Sequence, residues 1–95
     1  MNAPEKAFVE EFVALRHHIH STPELAFEEH ETAALVADKL REWGYDVTTC
    51  IGGTGVVGQL RRGTSSACLG LRADMDALPI QEATALPWAS TKPGL

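Results

Sequence analysis

Gly44-Tyr45-Asp46-Val47-Thr48-Thr49-Cys50-Ile51-Gly52-Gly53-Thr54-Gly55-Val56-Val57-Gly58 is the stretch where the chain changes its period. Before Gly44 apolar residues recur at helical spacing; after it they alternate. Tyr45, Val47, Thr49 and Ile51 interleave with Asp46, Thr48 and Cys50, the pattern of a strand with one buried face. A second strand is predicted from Val56 to Arg61. A glycine-rich loop cradles phosphate when it leads a strand into a helix. Here a strand follows and no Lys-Ser/Thr pair is present, so Gly52-Gly53-Thr54-Gly55 reads as a hairpin turn needing positive φ.

Upstream, Pro4 to His20 reads as an amphipathic helix, with proline in the first turn, where its missing N–H costs nothing. Phe8, Phe12, Leu15 and Ile19 form one stripe; Val9, Val13, Arg16 and His20 flank it, and His17 points to the opposite side. Ser21-Thr22-Pro23-Glu24 ends this helix, and its hydroxyls are expected to cap free N–H groups of the next. That second helix is predicted over 28–43, with Ala33, Val36, Ala37, Leu40 and Trp43 on one face. Glu28, Glu29 and Glu31 suit its positive start, and Gly44 its left-handed stop. Leu35 falls outside the stripe: an ordinary exposed leucine, or, more pointedly, a contact with protein outside this chain.

Downstream, Cys68 to Ala73 reads as a third strand, joined to the second by Arg62-Gly63-Thr64-Ser65-Ser66, short enough for an antiparallel hairpin. Beyond Asp76 the chain is punctuated by Pro79, Pro87 and Pro93 and has no regular period. The fold class is therefore α/β: two N-terminal helices followed by a β-hairpin-containing sheet. Such a sheet with a long irregular tail leaves edges that proteins normally cover, so an incomplete domain is expected.

Composition narrows the partners. With 95 residues, 44% hydrophobic and 22% charged, the chain is globular in character and sufficient for one small domain. Its net charge of -5 argues against nucleic acid. No stretch has the apolar length of a membrane span, and Met1-Asn2-Ala3-Pro4-Glu5 is unlike a signal peptide. Cys50 and Cys68 are too few for a disulfide framework and are expected as small buried hydrophobes. Cytoplasmic residence is the default expectation.

Two constellations carry potential chemistry. His17 and His20 stand three apart on a helix, but their directions differ by about 60° and no Asp, Glu or Cys joins them, a weak metal pair. His20 is better read as a hydrogen-bonded residue that fixes the turn before Pro23. Asp74 and Asp76 project to one side with Arg72, opposite Leu71, Ala73 and Met75. Adjacent carboxylates repel unless a cation or shared proton compensates. Spacing leaves two readings open: catalytic groups at a strand end, or a surface in which Arg72 neutralises one carboxylate.

Taken as words, these segments are specific. Arg16-His17-His18-Ile19-His20-Ser21-Thr22-Pro23-Glu24-Leu25 followed by Phe27-Glu28-Glu29, then the Gly52–Gly58 block, then Leu71-Arg72-Ala73-Asp74-Met75-Asp76-Ala77-Leu78-Pro79-Ile80-Gln81-Glu82 resemble successive signatures of one family. It is the amidohydrolase branch of a zinc-peptidase-like superfamily, which includes hippurate hydrolases, N-acyl-amino-acid hydrolases and indole-acetyl-amino-acid hydrolases. Leu86-Pro87-Trp88-Ala89-Ser90 and Pro93-Gly94 continue the resemblance across nearly the whole chain.

The resemblance implies an α/β catalytic domain, of which residues 1–95 are the N-terminal part, and a later dimerising lid domain. It implies hydrolysis of an amide joining an acyl group to an amino acid. The cofactor implied is a divalent metal (zinc, manganese, cobalt or nickel), with a glutamate as general base. Its ligands, in a His-Ala-Cys-Gly-His-Asp block and later residues, lie outside this chain, which is expected to be inactive alone. Asp76 matches the family aspartate that orients a metal ligand. Asp74 stands where peptidase relatives have a histidine ligand, a departure the amidohydrolase branch shares. Arg16, His20, Pro23 and Glu24 match the family but read as structural. The partner implied is a small N-acyl amino acid substrate, with a homodimer formed through the lid. The alternative is a small self-standing interaction module, or a decayed gene product, derived from the family.

Overall fold

The computed structural model describes all 95 residues. Two helices, α1 (Ala3–Ser21) and α2 (His30–Glu42), precede two strands, β1 (Asp46–Ile51) and β2 (Gly55–Gln59). Asn2 and Glu5 open α1 reciprocally, each side chain accepting the other's backbone N–H at 2.9 and 3.0 Å. At the far end the Ser21 and Thr22 hydroxyls both donate to the His18 carbonyl, at 2.8 and 3.0 Å. They finish α1 instead of capping α2, because an orphan carbonyl of their own helix is already within reach. α2 starts later than its charge pattern suggests, after a turn in which Phe27 takes a φ of 64°. It ends as expected: Gly44, at φ 88°, donates to the Arg41 carbonyl and Tyr45 to the Leu40 carbonyl.

The strands pair antiparallel, with Val47 opposite Gly58 and Thr48 opposite Val57. The register slips between Thr48 and Ile51, where Cys50 adopts a φ of 62°, so a bulge leads into the Gly52-Gly53 turn. α2 packs on this hairpin, Leu40 lying over Gly58, a ladder position without a side chain to obstruct it. α1 meets the end of α2 through the Phe12 and Trp43 rings, 5.4 Å apart, and through Lys39 and Glu11.

Three expectations need correction. The segment 68–73 forms no third strand, and the sheet has two. A strand needs a neighbour for its N–H and C=O groups, and none adjoins here; Leu69 and Leu71 remain 84% and 91% exposed. Cys50 and Cys68 are exposed, one in the bulge and the other in the unpaired segment. Leu35 is half-buried, not free on the surface.

Ala37 and Pro23 are the only apolar residues that are buried. The surface measures 7428 Å², against about 5,400 Å² for a compact protein of this mass. The radius of gyration, 15.8 Å, also exceeds the roughly 12.4 Å expected of a compact chain of this length. The molecule is a slab of 49 × 40 × 19 Å, with an open groove of about 1420 Å³ between the helices, the hairpin and the trailing segment. Its walls are largely apolar and include Leu15, Ile19, Val36, Leu71 and Met75.

Candidate active-site segment

The aspartate segment is positioned from the turn between the helices. Ala77, next to Asp76, donates its N–H to the Glu24 carbonyl at 2.7 Å, and Leu25 and Ala77 make a parallel bridge. Pro23 and Glu24 are buried. The Glu24 carboxylate accepts from the Glu31 N–H at 3.0 Å and from both the N–H and the hydroxyl of Thr32 at 2.6 Å. It thus caps α2 from outside the helix, five residues before its N-cap Glu29, which makes no side-chain cap of its own. Burial alone would raise the Glu24 carboxyl. The Thr32 hydroxyl, the Thr32 and Glu31 amides and the charge of Lys92 outweigh that and hold it below its ordinary value.

Glu29 ties the same turn to the hairpin, accepting from the Thr54 hydroxyl and, at 3.0 Å, from the Phe27 N–H. The Thr54 bond is the main reason its carboxyl is also lowered. Two buried carboxylates therefore pin the turn, one to α2 and one to the hairpin.

The two aspartates flagged in the sequence both stand on the groove wall, with His20 and Glu82. Asp74 accepts from the Arg72 guanidinium at 3.1 Å, and both side chains are well exposed. Asp76 is exposed too. The two histidines part company. His17 stacks on Trp88 with centroids 3.8 Å apart and planes within 4°, and its Nε2 accepts from Arg16 at 2.9 Å. Burial first, then the positive field of Arg16 and His20, pushes its imidazole below the ordinary value. His20 instead pairs with Glu82 at 2.8 Å, so it secures the trailing segment and not the turn before Pro23. Glu82 also takes the Ser90 N–H at 2.9 Å and the Thr84 hydroxyl, and Thr91 bonds the Ser21 carbonyl. The Thr84 hydroxyl is the first of the causes lowering the Glu82 carboxyl, followed by the Ser90 amide; His20 adds to them.

Sequence spacing held no signal for Glu82 or Trp88, because helix and tail meet across more than sixty intervening positions. Their roles are contacts, invisible to periodicity. No group of three His, Cys, Asp or Glu side chains comes close enough to hold a metal ion. With Asp74 engaged by Arg72 and His17 by Trp88, the donors present do not by themselves fit one. No helix is long and apolar enough to cross a membrane.

No family model matches the chain. It is 60% identical over 82 residues to the hippurate hydrolase of Campylobacter jejuni, a match covering 86% of this chain and 21% of that protein. It is 39% identical over 85 residues to the N-acetyl-L-cysteine deacetylase of Bacillus subtilis, covering 90% of this chain and 20% of that one. Among solved structures, the Bacillus subtilis YXEP protein, a dinuclear metal-binding peptidase from the M20 family, superposes with a TM-score of 0.87 at 37% identity. That superposition covers 94% of this chain and 25% of that protein. The chain thus spans about a fifth of the length of the curated relatives it matches.

Proposed function

We propose, for a chain related in sequence and fold to M20-family amidohydrolases, that the whole protein hydrolyses the amide of N-acyl or N-aroyl amino acids. Residues 1–95 are then the first part of its catalytic domain. The observation that carries this reading is the 60% identity to a hippurate hydrolase over a span of 82 residues, within which Asp74, Asp76 and the turn at Glu24 lie. The metal would be held by residues outside these 95, since those within offer no set of three donors. Asp76 would orient one of those ligands, with Asp74 beside it. A homodimer through a lid domain and a cytoplasmic location belong to the same reading; exposed free thiols at Cys50 and Cys68 suit a reducing compartment.

The test is a graft. The matching 82 residues of the Campylobacter enzyme are replaced by this sequence, and turnover of N-benzoylglycine is measured with added divalent metal. Hydrolysis by the graft, with loss of about 10- to 100-fold on Asp76→Ala, supports the reading. The 95-residue chain alone is expected to be inert under the same conditions. An inactive, folded graft, or turnover by the isolated chain, sinks it.

A further inference from the structure

We propose that Glu24 is the positioning residue of the aspartate segment: its carboxylate locks the turn at Pro23-Glu24-Leu25 to α2, while its backbone carbonyl holds Ala77 and so places Asp76. The importance of the position for catalysis rests on the reading above; the anchoring itself does not.

Outside the helices and the hairpin, the Ala77–Glu24 bond is the only backbone hydrogen bond from residues 60–79 to another part of the fold. Side-chain bonds within 68–79 are local, Arg72 to Asp74 and Cys68 to the Leu69 carbonyl. The location of Asp76 therefore depends on where the Glu24 carbonyl stands. That carbonyl cannot drift while the side chain of the same residue is fixed by three donors and its predecessor is a buried proline with restricted φ. A merely surface glutamate would have none of this: Glu24 is 8% exposed, and its three donors, the Glu31 N–H and the N–H and hydroxyl of Thr32, make no other hydrogen bond. Removing its carboxylate leaves those donors unpaired and lets the turn rotate. A displacement of about 1 Å at a catalytic group costs on the order of 100-fold in rate.

The experiment uses the intact graft, with Glu24→Ala, Glu24→Gln, Thr32→Val and Asp76→Ala. Amide hydrogen exchange at Ala77 is read alongside kcat and KM for N-benzoylglycine at saturating metal. Glu24→Ala is expected to speed Ala77 exchange at least about tenfold relative to the α1 amides, and to lower kcat about 10- to 100-fold with KM little changed. Glu24→Gln, which keeps one oxygen for Thr32, restores most of both; Thr32→Val, which removes one donor, gives a smaller shift in the same direction. Unchanged Ala77 exchange in Glu24→Ala overturns the proposal, as does a rise spread evenly over all helical amides. If Glu24→Ala does not fold, unchanged Ala77 exchange in Thr32→Val overturns it. An inactive parent graft, or one indifferent to Asp76→Ala, would refute the functional reading alone, and the exchange result would still decide the role of Glu24.

Discussion

Gly58→Ala tests how α2 is seated on the hairpin, and its magnitude can be worked from the structure. A Cβ at this position would stand 2.9 Å from Leu40 Cδ1 and 3.4 Å from both Leu40 Cδ2 and Tyr45 Cδ2. The first distance is too short for a carbon pair, so something must move. The obstacle is the tip of a flexible side chain, so Leu40 can swing, at about 0.5–1.5 kcal/mol if it leaves its rotamer. Adding a carbon to a packed contact commonly costs about 1–3 kcal/mol. Against this, alanine restricts the unfolded chain and returns roughly 0.4–1 kcal/mol. The net expectation is a loss of about 1–2 kcal/mol in local stability. Hydrogen exchange of the β1–β2 ladder amides in the intact graft reads this as about 5- to 30-fold faster opening. The decisive control is Leu40→Ala, which removes both methyl groups concerned. On that background Gly58→Ala should cost nothing or stabilise slightly. An equal cost on both backgrounds would refute the clash as the cause, and a stabilising effect in the parent would refute the packing altogether.

Acid should loosen the α2 start. The Glu24 carboxyl lies below its ordinary value of 4.5 in the fold, so its contribution is complete above that pH and is lost as pH falls below it through the lowered value. Protection of the Ala77 amide should therefore decline only below pH 4.5, and less steeply in Glu24→Gln; a decline centred at higher pH counts against this. His17 has the same sign. Its folded value lies below 6.5, so the neutral stack on Trp88 is fully favoured above that pH and lost as pH falls through the lowered value. On a Trp43→Phe background, Trp88 emission should change with a midpoint below pH 6.5 and not at all in His17→Gln. Arg72→Ala should shift the melting temperature negligibly, because an exposed ion pair is worth about 0–1 kcal/mol; a large loss would mean that Arg72 does more than neutralise Asp74.

What the sequence made legible is local. The helices, the Gly44 stop and the glycine turn follow from periodicity and from backbone preferences that act within a few residues, and the structure places them close to where those rules do. The strand read into Cys68–Ala73 shows the limit of the same rules. Its alternation describes a surface prepared for a neighbour, whereas a ladder requires that neighbour to be present. The hydroxyls of Ser21 and Thr22 show another limit: expected to accept from the free N–H groups of α2, they donate instead to the His18 carbonyl of α1, and residue type does not say which helix end a hydroxyl serves or whether it donates or accepts there.

The candidate site divides along the same line. Asp74 and Asp76 were identified by the wording of their segment, yet nothing in that wording says what holds it in place. Both answers come from contacts between residues distant in sequence, Ala77 with Glu24 and Glu82 with His20. Glu24 illustrates why such groups escape notice. A glutamate after proline at a helix break looks structural, and its carboxylate does act structurally, by capping α2. Its carbonyl serves another purpose at the same time, and a backbone atom leaves no trace in residue type. Thr32, on α2 and chemically inert, thereby becomes part of what places Asp76. Substitutions at the start of α2 should therefore disturb the aspartate segment more than equally conservative ones at Arg72, although Arg72 touches Asp74 and Thr32 touches neither aspartate.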